Sequence, residues 1–84
     1  MKIEILGVGC KNCEKLYKHA QEAVKSAGLG EEATVAKVED IDKFMKLGVM
    51  TTPALVIDDR VVSVGRVLNV KQIKEKIEES QRER

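Results

Sequence analysis

The 84-residue sequence contains no tryptophan, one tyrosine, one phenylalanine and one proline. At 2% aromatic content, it lacks the stacking platforms on which single-stranded nucleic-acid binders rely. It also lacks an excess of charge: 15 Lys and Arg against 14 Asp and Glu leave +1. A nucleic-acid partner selects a strongly basic face, so none is expected among its partners. No apolar run approaches the ~20 residues of a membrane-spanning helix, and no secretory leader pattern opens the chain. These absences predict a cytoplasmic, monomeric protein with no membrane partner. The apolar share is 43%, near the globular norm, and the length suits one compact domain over residues 1–84.

Cysteine is scarce, and its placement is informative. Both cysteines lie in Cys10-Lys11-Asn12-Cys13. A stapling disulfide would gain more across a longer loop: closing four residues is worth roughly 2 kcal/mol, against about 3 for fifteen. The spacing points instead to a reactive or metal-binding pair.

Residues 2–8 read Lys-Ile-Glu-Ile-Leu-Gly-Val. Ile3 and Ile5 recur at period two, with Leu6 and Val8 on the other face, the pattern of a central strand covered on both sides. Gly7 and Gly9 read as a flexible turn into the cysteines. Leu16, Ala20, Ala23, Val24 and Ala27 then trace one helical face. The cysteines therefore fall at a strand-to-helix junction, in the first turn of that helix. Thr34-Val35-Ala36-Lys37-Val38 forms a second strand, giving a parallel strand–helix–strand unit. Asp40 caps a brief helix carrying Phe44 and Met45 as core residues, and Gly48 ends it. Ala54-Leu55-Val56-Ile57 and Val61-Val62-Ser63-Val64 make a hairpin in which Asp58 or Asp59 must supply a positive φ. Asn69 opens the last helix, with Gln72 completing a capping box and Leu68 and Ile73 a hydrophobic staple. The polar residues from Glu78 onward, 79–84 above all, are expected to fray. The order is β-α-β-α-β-β-α.

A Cys-x-x-Cys pair beside a strand–helix–strand unit is the pattern of a thioredoxin-like redox motif. With Thr52-Pro53 ahead of the third strand, the chain resembles the thioredoxin/glutaredoxin superfamily. Ile5-Leu6-Gly7-Val8-Gly9-Cys10 and Cys13, together with residues 48–58 (Gly-Val-Met-Thr-Thr-Pro-Ala-Leu-Val-Ile-Asp), are similar to the small archaeal and bacterial redox-active disulfide proteins. The resemblance covers Lys2 to about Ile77. It implies an α/β, thioredoxin-like fold: a four-stranded mixed sheet with helices on both faces. It also implies a cis-proline facing the cysteines and a thiol–disulfide oxidoreductase exchanging electrons with protein disulfides. The redox group would be a Cys10–Cys13 disulfide, with no other cofactor and no resident metal.

Two features depart from the superfamily pattern. Lys11-Asn12 is neither the Gly-Pro of thioredoxins nor the Pro-Tyr of glutaredoxins. Gly65-Arg66-Val67-Leu68 lacks the Gly-Gly and acidic pair with which glutaredoxins hold glutathione. The expected electron donor is therefore a protein resembling thioredoxin reductase.

Disulfide attack requires a thiolate. At the N-terminal edge of the helix, unsatisfied N–H groups and the helix dipole favour the anion, which assigns Cys10 as nucleophile. Lys11 adds a nearby positive charge. Cys13, one turn inside beside Leu16 and Tyr17, is the resolving thiol. Pro53 would present the Thr52 backbone to a substrate strand, with Thr51 beside the thiolate; Gly9, Lys11 and Asn12 support the loop. His19 reads as a surface residue and Tyr17 as a ring at the core edge.

Metal transfer is the competing reading. The Gly9-Cys13 loop also resembles that of heavy-metal-associated domains. Two thiolates suffice for linear Cu(I), whereas a zinc or iron–sulfur site would need two chains sharing their pairs. Pro53 and the closing β-β-α order favour electron exchange over this alternative and over a non-catalytic binding module.

Overall fold

The computed structural model describes residues 1–8 and 11–82. Its elements follow the expected order: β1 (Lys2–Leu6), α1 (Lys11–Ser26), β2 (Thr34–Val38), α2 (Ile41–Lys46), β3 (Ala54–Ile57), β4 (Arg60–Val64) and α3 (Val70–Arg82). The strands form one sheet in the order β2-β1-β3-β4. β1 pairs parallel with β2, Ile5 opposite Lys37, and antiparallel with β3, Ile5 opposite Leu55. β3 and β4 form the antiparallel hairpin, and the register shifts so that Val62 is an extra residue on β4, a β-bulge.

The strand period divides the core. Ile3 and Ile5 point to one face, where they pack with Leu16, Ala20, Ala23 and Val24 of α1 and with Ile73 and Ile77 of α3. Leu6 points to the other face, against Phe44 of α2, Val49, Ala54 and Val56. The molecule is therefore a mixed sheet between two helices on one side and a short helix on the other. This arrangement is the α/β thioredoxin-like architecture.

Both hairpin turn residues are left-handed, Asp58 at φ 49° and Asp59 at φ 65°. A two-residue type I′ turn needs positive φ at both positions, so the requirement falls on the two together and not on one. The Asp58 carboxylate accepts a hydrogen bond from the Lys2 N–H at 2.8 Å, which ties the turn to the start of β1. The Asn69–Gln72 capping box forms as read, with reciprocal bonds of 2.8 and 3.0 Å. Asp40 caps α2 by accepting from the Asp42 N–H at 3.0 Å.

Four readings change. Met45 is 74% exposed, because a helix of 6 residues turns only one narrow face inward, and Phe44 occupies it. Val8 is 56% exposed, since β1 ends at Leu6 and leaves it beyond the sheet. The polar tail is helical through Arg82. Its Glu, Gln, Lys and Arg residues are good helix formers, and Lys76 and Glu79 pair across one turn at 3.7 Å. His19 is half-buried, with Nδ1 at 2.9 Å from the Leu68 carbonyl oxygen. A carbonyl can only accept, so Nδ1 carries the proton and links α1 to the segment ahead of α3.

The sequence pattern gave no warning of Glu4. Its side chain is 7% exposed and meets Lys43 Nζ of α2 at 2.5 Å, with Lys2 Nζ at 3.9 Å from its other oxygen. Period two aims it at the α2 face beside Leu6, where α2 brings the cation that allows a carboxylate to be buried.

Candidate functional site

The site lies where β1 ends, α1 begins and the segment before β3 passes. Cys13 is the third residue of α1. It is 4% exposed and packed in the cluster that contains Leu16, with Tyr17 at its edge. Lys11 and Asn12, in the same first turn, are exposed. Cys10 and Gly9 lie outside the described residues, so the expectations for them remain those of the sequence.

Gly7 fixes the position of the Cys13 sulfur. It is not among the described glycines with positive φ; what it supplies is space, not the flexible turn read from the sequence. A Cβ built on Gly7 would overlap Cys13 Sγ and would stand 3.3 Å from Cys13 Cβ and 3.7 Å from Thr52 Cβ. The sulfur therefore rests on the bare backbone of Gly7, and Thr52 comes to the same point. Sequence alone could not separate this use of glycine from a turn, because both write the same letter.

The Thr52–Pro53 peptide bond is cis. Pro53 is buried at the start of β3, while Thr51 and Thr52 are exposed. The Pro53 carbonyl oxygen accepts from the Gly65 N–H at 2.8 Å. Gly65 has φ +72°, and a Cβ there would come within 3.1 Å of Thr51 Cγ2. This glycine therefore serves both the backbone conformation and the close approach of Thr51. The fold thus brings Cys13, Thr51, Thr52 and Pro53 to one end of the sheet from segments about forty residues apart in sequence.

A cleft of about 480 Å³ opens beside Cys13, lined by residues of α1 and of the ends of β1 and β2. Cys13, Ile5 and Gly7 line it together with Lys11, Glu14, Lys15, Lys18, Lys37 and Glu39. Lys37 is bonded to Glu14 at 3.2 Å and lies over the Tyr17 ring, 5.3 Å from its centroid. Sequence reasoning missed this cleft. The helical spacing of Lys11, Lys15 and Lys18 was the available signal, but Lys37 and Glu39 join them only through the β1–β2 pairing.

The sheet order, the buried Cys13 at the head of α1 and the proline-led third strand define a thioredoxin-like protein. A family model described as a thioredoxin domain matches residues 1–78. The chain is 39% identical over 74 residues to a protein named thioredoxin from Methanothermobacter thermautotrophicus, covering 88% of this chain and 94% of that one. It is 33% identical over 75 residues to a thioredoxin from Methanocaldococcus jannaschii, covering 89% and 84% respectively. The chain belongs to the thioredoxin-domain family. That membership supports thiol–disulfide oxidoreduction as its general role. No helix among the described residues is long and apolar enough to cross a membrane.

Proposed function

We propose that the protein is a cytoplasmic thiol–disulfide oxidoreductase that exchanges electrons with protein disulfides through Cys10 and Cys13. The observation that carries this reading is the Cys13 sulfur, buried at the head of α1 against Gly7 and three residues after a second cysteine.

In the reducing direction, the Cys10 thiolate attacks a substrate disulfide. A mixed disulfide forms and one substrate thiolate leaves. Cys13 then loses its proton and attacks the Cys10 sulfur, which closes the Cys10–Cys13 bond and expels the second thiolate. Two electrons pass to the substrate, and a reductase-like protein thiol donor returns them. The substrate chain meets Thr51, Thr52 and Pro53, with Gly9, Lys11 and Asn12 shaping the loop around the nucleophile. The exposure of Thr51 and Thr52, with Thr52 Cβ near the Gly7 position on which the Cys13 sulfur rests, supports this docking. No cofactor beyond the cysteine pair enters the scheme, and the protein acts as a monomer.

Insulin reduction tests the assignment. Cys10→Ser abolishes turnover, whereas Cys13→Ser accumulates a mixed disulfide with substrate. Faster alkylation of Cys13 than of Cys10 by iodoacetamide at neutral pH would reverse the two roles.

A further inference from the structure

In the sheet order β2-β1-β3-β4, β2 has a neighbouring strand on one side only. The Thr34 N–H donates to the Met1 carbonyl at 2.9 Å, and the Val38 carbonyl accepts from the Gly7 N–H at 3.1 Å. Backbone direction alternates along a strand, so Thr34, Ala36 and Val38 face β1 while Val35 and Lys37 turn their N–H and C=O groups outward. The opposite edge, β4, is interrupted by the bulge at Val62, a device that discourages strand addition. β2 has no such guard: its 5 residues include no proline or glycine and pair with β1 in unbroken register. Its one charged side chain, Lys37, is drawn back toward α1, to Glu14 and the Tyr17 ring.

The flank of α1 beside this edge is positive, although the chain as a whole is nearly neutral. Lys11, Lys15 and Lys18 line the cleft that also holds Lys37 and Glu39. Lys25 lines a second recess, of about 260 Å³, with Val24, Ala33 and Val35. All four α1 lysines are exposed, and among the described residues none has an ion-pair partner. Glu14 is engaged by Lys37 at 3.2 Å, which leaves Glu39 as the remaining counter-charge. Antiparallel pairing of β2 with a second copy would set both α1 helices on one face of the joined sheet, lysine flank against lysine flank. That repulsion disfavours self-pairing and suits an acidic strand.

We infer that the β2 edge docks an extended segment of a partner protein, with acidic side chains toward α1, as an added strand of the sheet. The N–H groups of Val35 and Lys37 donate to its carbonyls, and their carbonyls accept from its N–H groups. On the α1 side, an apolar residue of the segment covers the recess at Val35. The next residue on that side, beside Lys37, places a carboxylate near Lys15 and Lys18. Residues facing the other way lie beside Thr34 and Ala36, both exposed, and are free to vary. Nucleic acids and lipid head groups supply the negative charge but not donors and acceptors at strand spacing, so the occupant is polypeptide. Thr51, Thr52 and Pro53 line neither recess, so a partner held here leaves the cis-proline end of the sheet open. The site uses neither cysteine as a reactant.

The probe is acetyl-Thr-Glu-Thr-Val-Thr-Glu-Thr-amide, whose residue order is the same in both chain directions, and amide NMR of the labelled protein reports its binding. Without peptide, the Val35 and Lys37 amides should exchange with solvent faster than those of Ala36 and Val38. Millimolar peptide should move the Val35 and Lys37 resonances most among the strand residues. It should also slow their exchange by about the factor 1 + [peptide]/Kd, with Kd read from the shifts. The analogue with lysine in place of both glutamates should bind about tenfold more weakly at low salt. That gap should close between about 20 mM and about 500 mM salt, as screening requires. The acidic peptide N-methylated at every interior residue keeps its charge, loses its donors and should leave Val35 and Lys37 unprotected. Lys15→Gln/Lys18→Gln should weaken the acidic peptide about fivefold, whereas Lys71→Gln on α3, a charge loss at a distance, should not. Unmoved Val35 and Lys37 resonances in millimolar acidic peptide overturn the inference, as does equal binding of the lysine or the methylated form. Movement of the same resonances with protein concentration alone would assign the edge to a second copy and overturn it equally. The probe contains no sulfur, so its binding stands or falls apart from insulin reduction, which tests the exchange chemistry.

Discussion

Replacing Gly7 by alanine tests how the Cys13 sulfur is held. The added methyl would overlap Cys13 Sγ. Cys13 has one side-chain torsion and is 4% exposed, so displacing its sulfur disturbs a packed surrounding. Forcing one methyl into such a site costs about 1–3 kcal/mol, a large share of the roughly 5–15 kcal/mol that holds a domain together. A loss of about 2 kcal/mol lowers the thermal midpoint of a domain this small by roughly 8–16 °C. Urea unfolding of fully reduced protein measures the cost, and a double-mutant cycle with Cys13→Ala identifies its source. Once the sulfur is gone, the nearest remaining atoms are Cys13 Cβ at 3.3 Å, a tight contact, and Thr52 Cβ at 3.7 Å, an ordinary one. Gly7→Ala should therefore cost little in the Cys13→Ala background, giving a coupling energy of about 1–2 kcal/mol. If Gly7→Ala stays within about 0.5 kcal/mol of the parent, or costs the same with and without the sulfur, the close-approach argument is wrong.

Three further outcomes follow from the fold. Lys43→Met leaves the Glu4 carboxylate, 7% exposed, with only Lys2 at 3.9 Å; it should cost about 2–3 kcal/mol by urea unfolding, less than the roughly 3–5 of a fully buried pair because Lys43 is 29% exposed. The double variant Glu4→Leu/Lys43→Met should return most of that loss, since no charge is then left buried. Asn69→Ala removes the acceptor for the Gln72 N–H and should cost about 1 kcal/mol. The Lys2 ammonium is held above the ordinary lysine value of 10.5, chiefly by its hydrogen bond to Asp59 and the charge of that carboxylate, with Glu4 and Asp58 adding to it. A raised folded-state value means a contribution fully present below 10.5 and lost as pH climbs through the folded value. The gap in thermal midpoint between the parent and Lys2→Gln should thus hold steady through neutral pH and narrow on the strongly alkaline side.

The elements were legible because each is written in local chemistry. Period-two isoleucines, a helical stripe from Leu16 to Ala27, the Asn69–Gln72 box and the Asp58-Asp59 turn each need only neighbours a few residues away. The Cys10/Cys13 spacing and Thr52-Pro53 were equally plain, and together they pointed to the family to which the chain belongs. Errors arose where a residue's surroundings depend on which element packs over it. Met45 and Phe44 carry the same apolar signal, and only the placement of a short α2 decides which is covered. Glu4 looked like the polar half of an alternating strand until α2 supplied Lys43. His19 looked solvent-facing until the segment before α3 crossed it.

By itself, the sequence determined the order of elements, the turn chemistry and the close spacing of the two cysteines, because hydrophobic period, capping and φ preference act over a few bonds. Tertiary structure alone decided that Gly7 is a seat for a sulfur, that Thr52 comes close to the same point, and that lysines of α1 and β2 share one cleft. Those relations depend on the distance between segments remote along the chain, and only packing the helices onto the ordered sheet sets that distance.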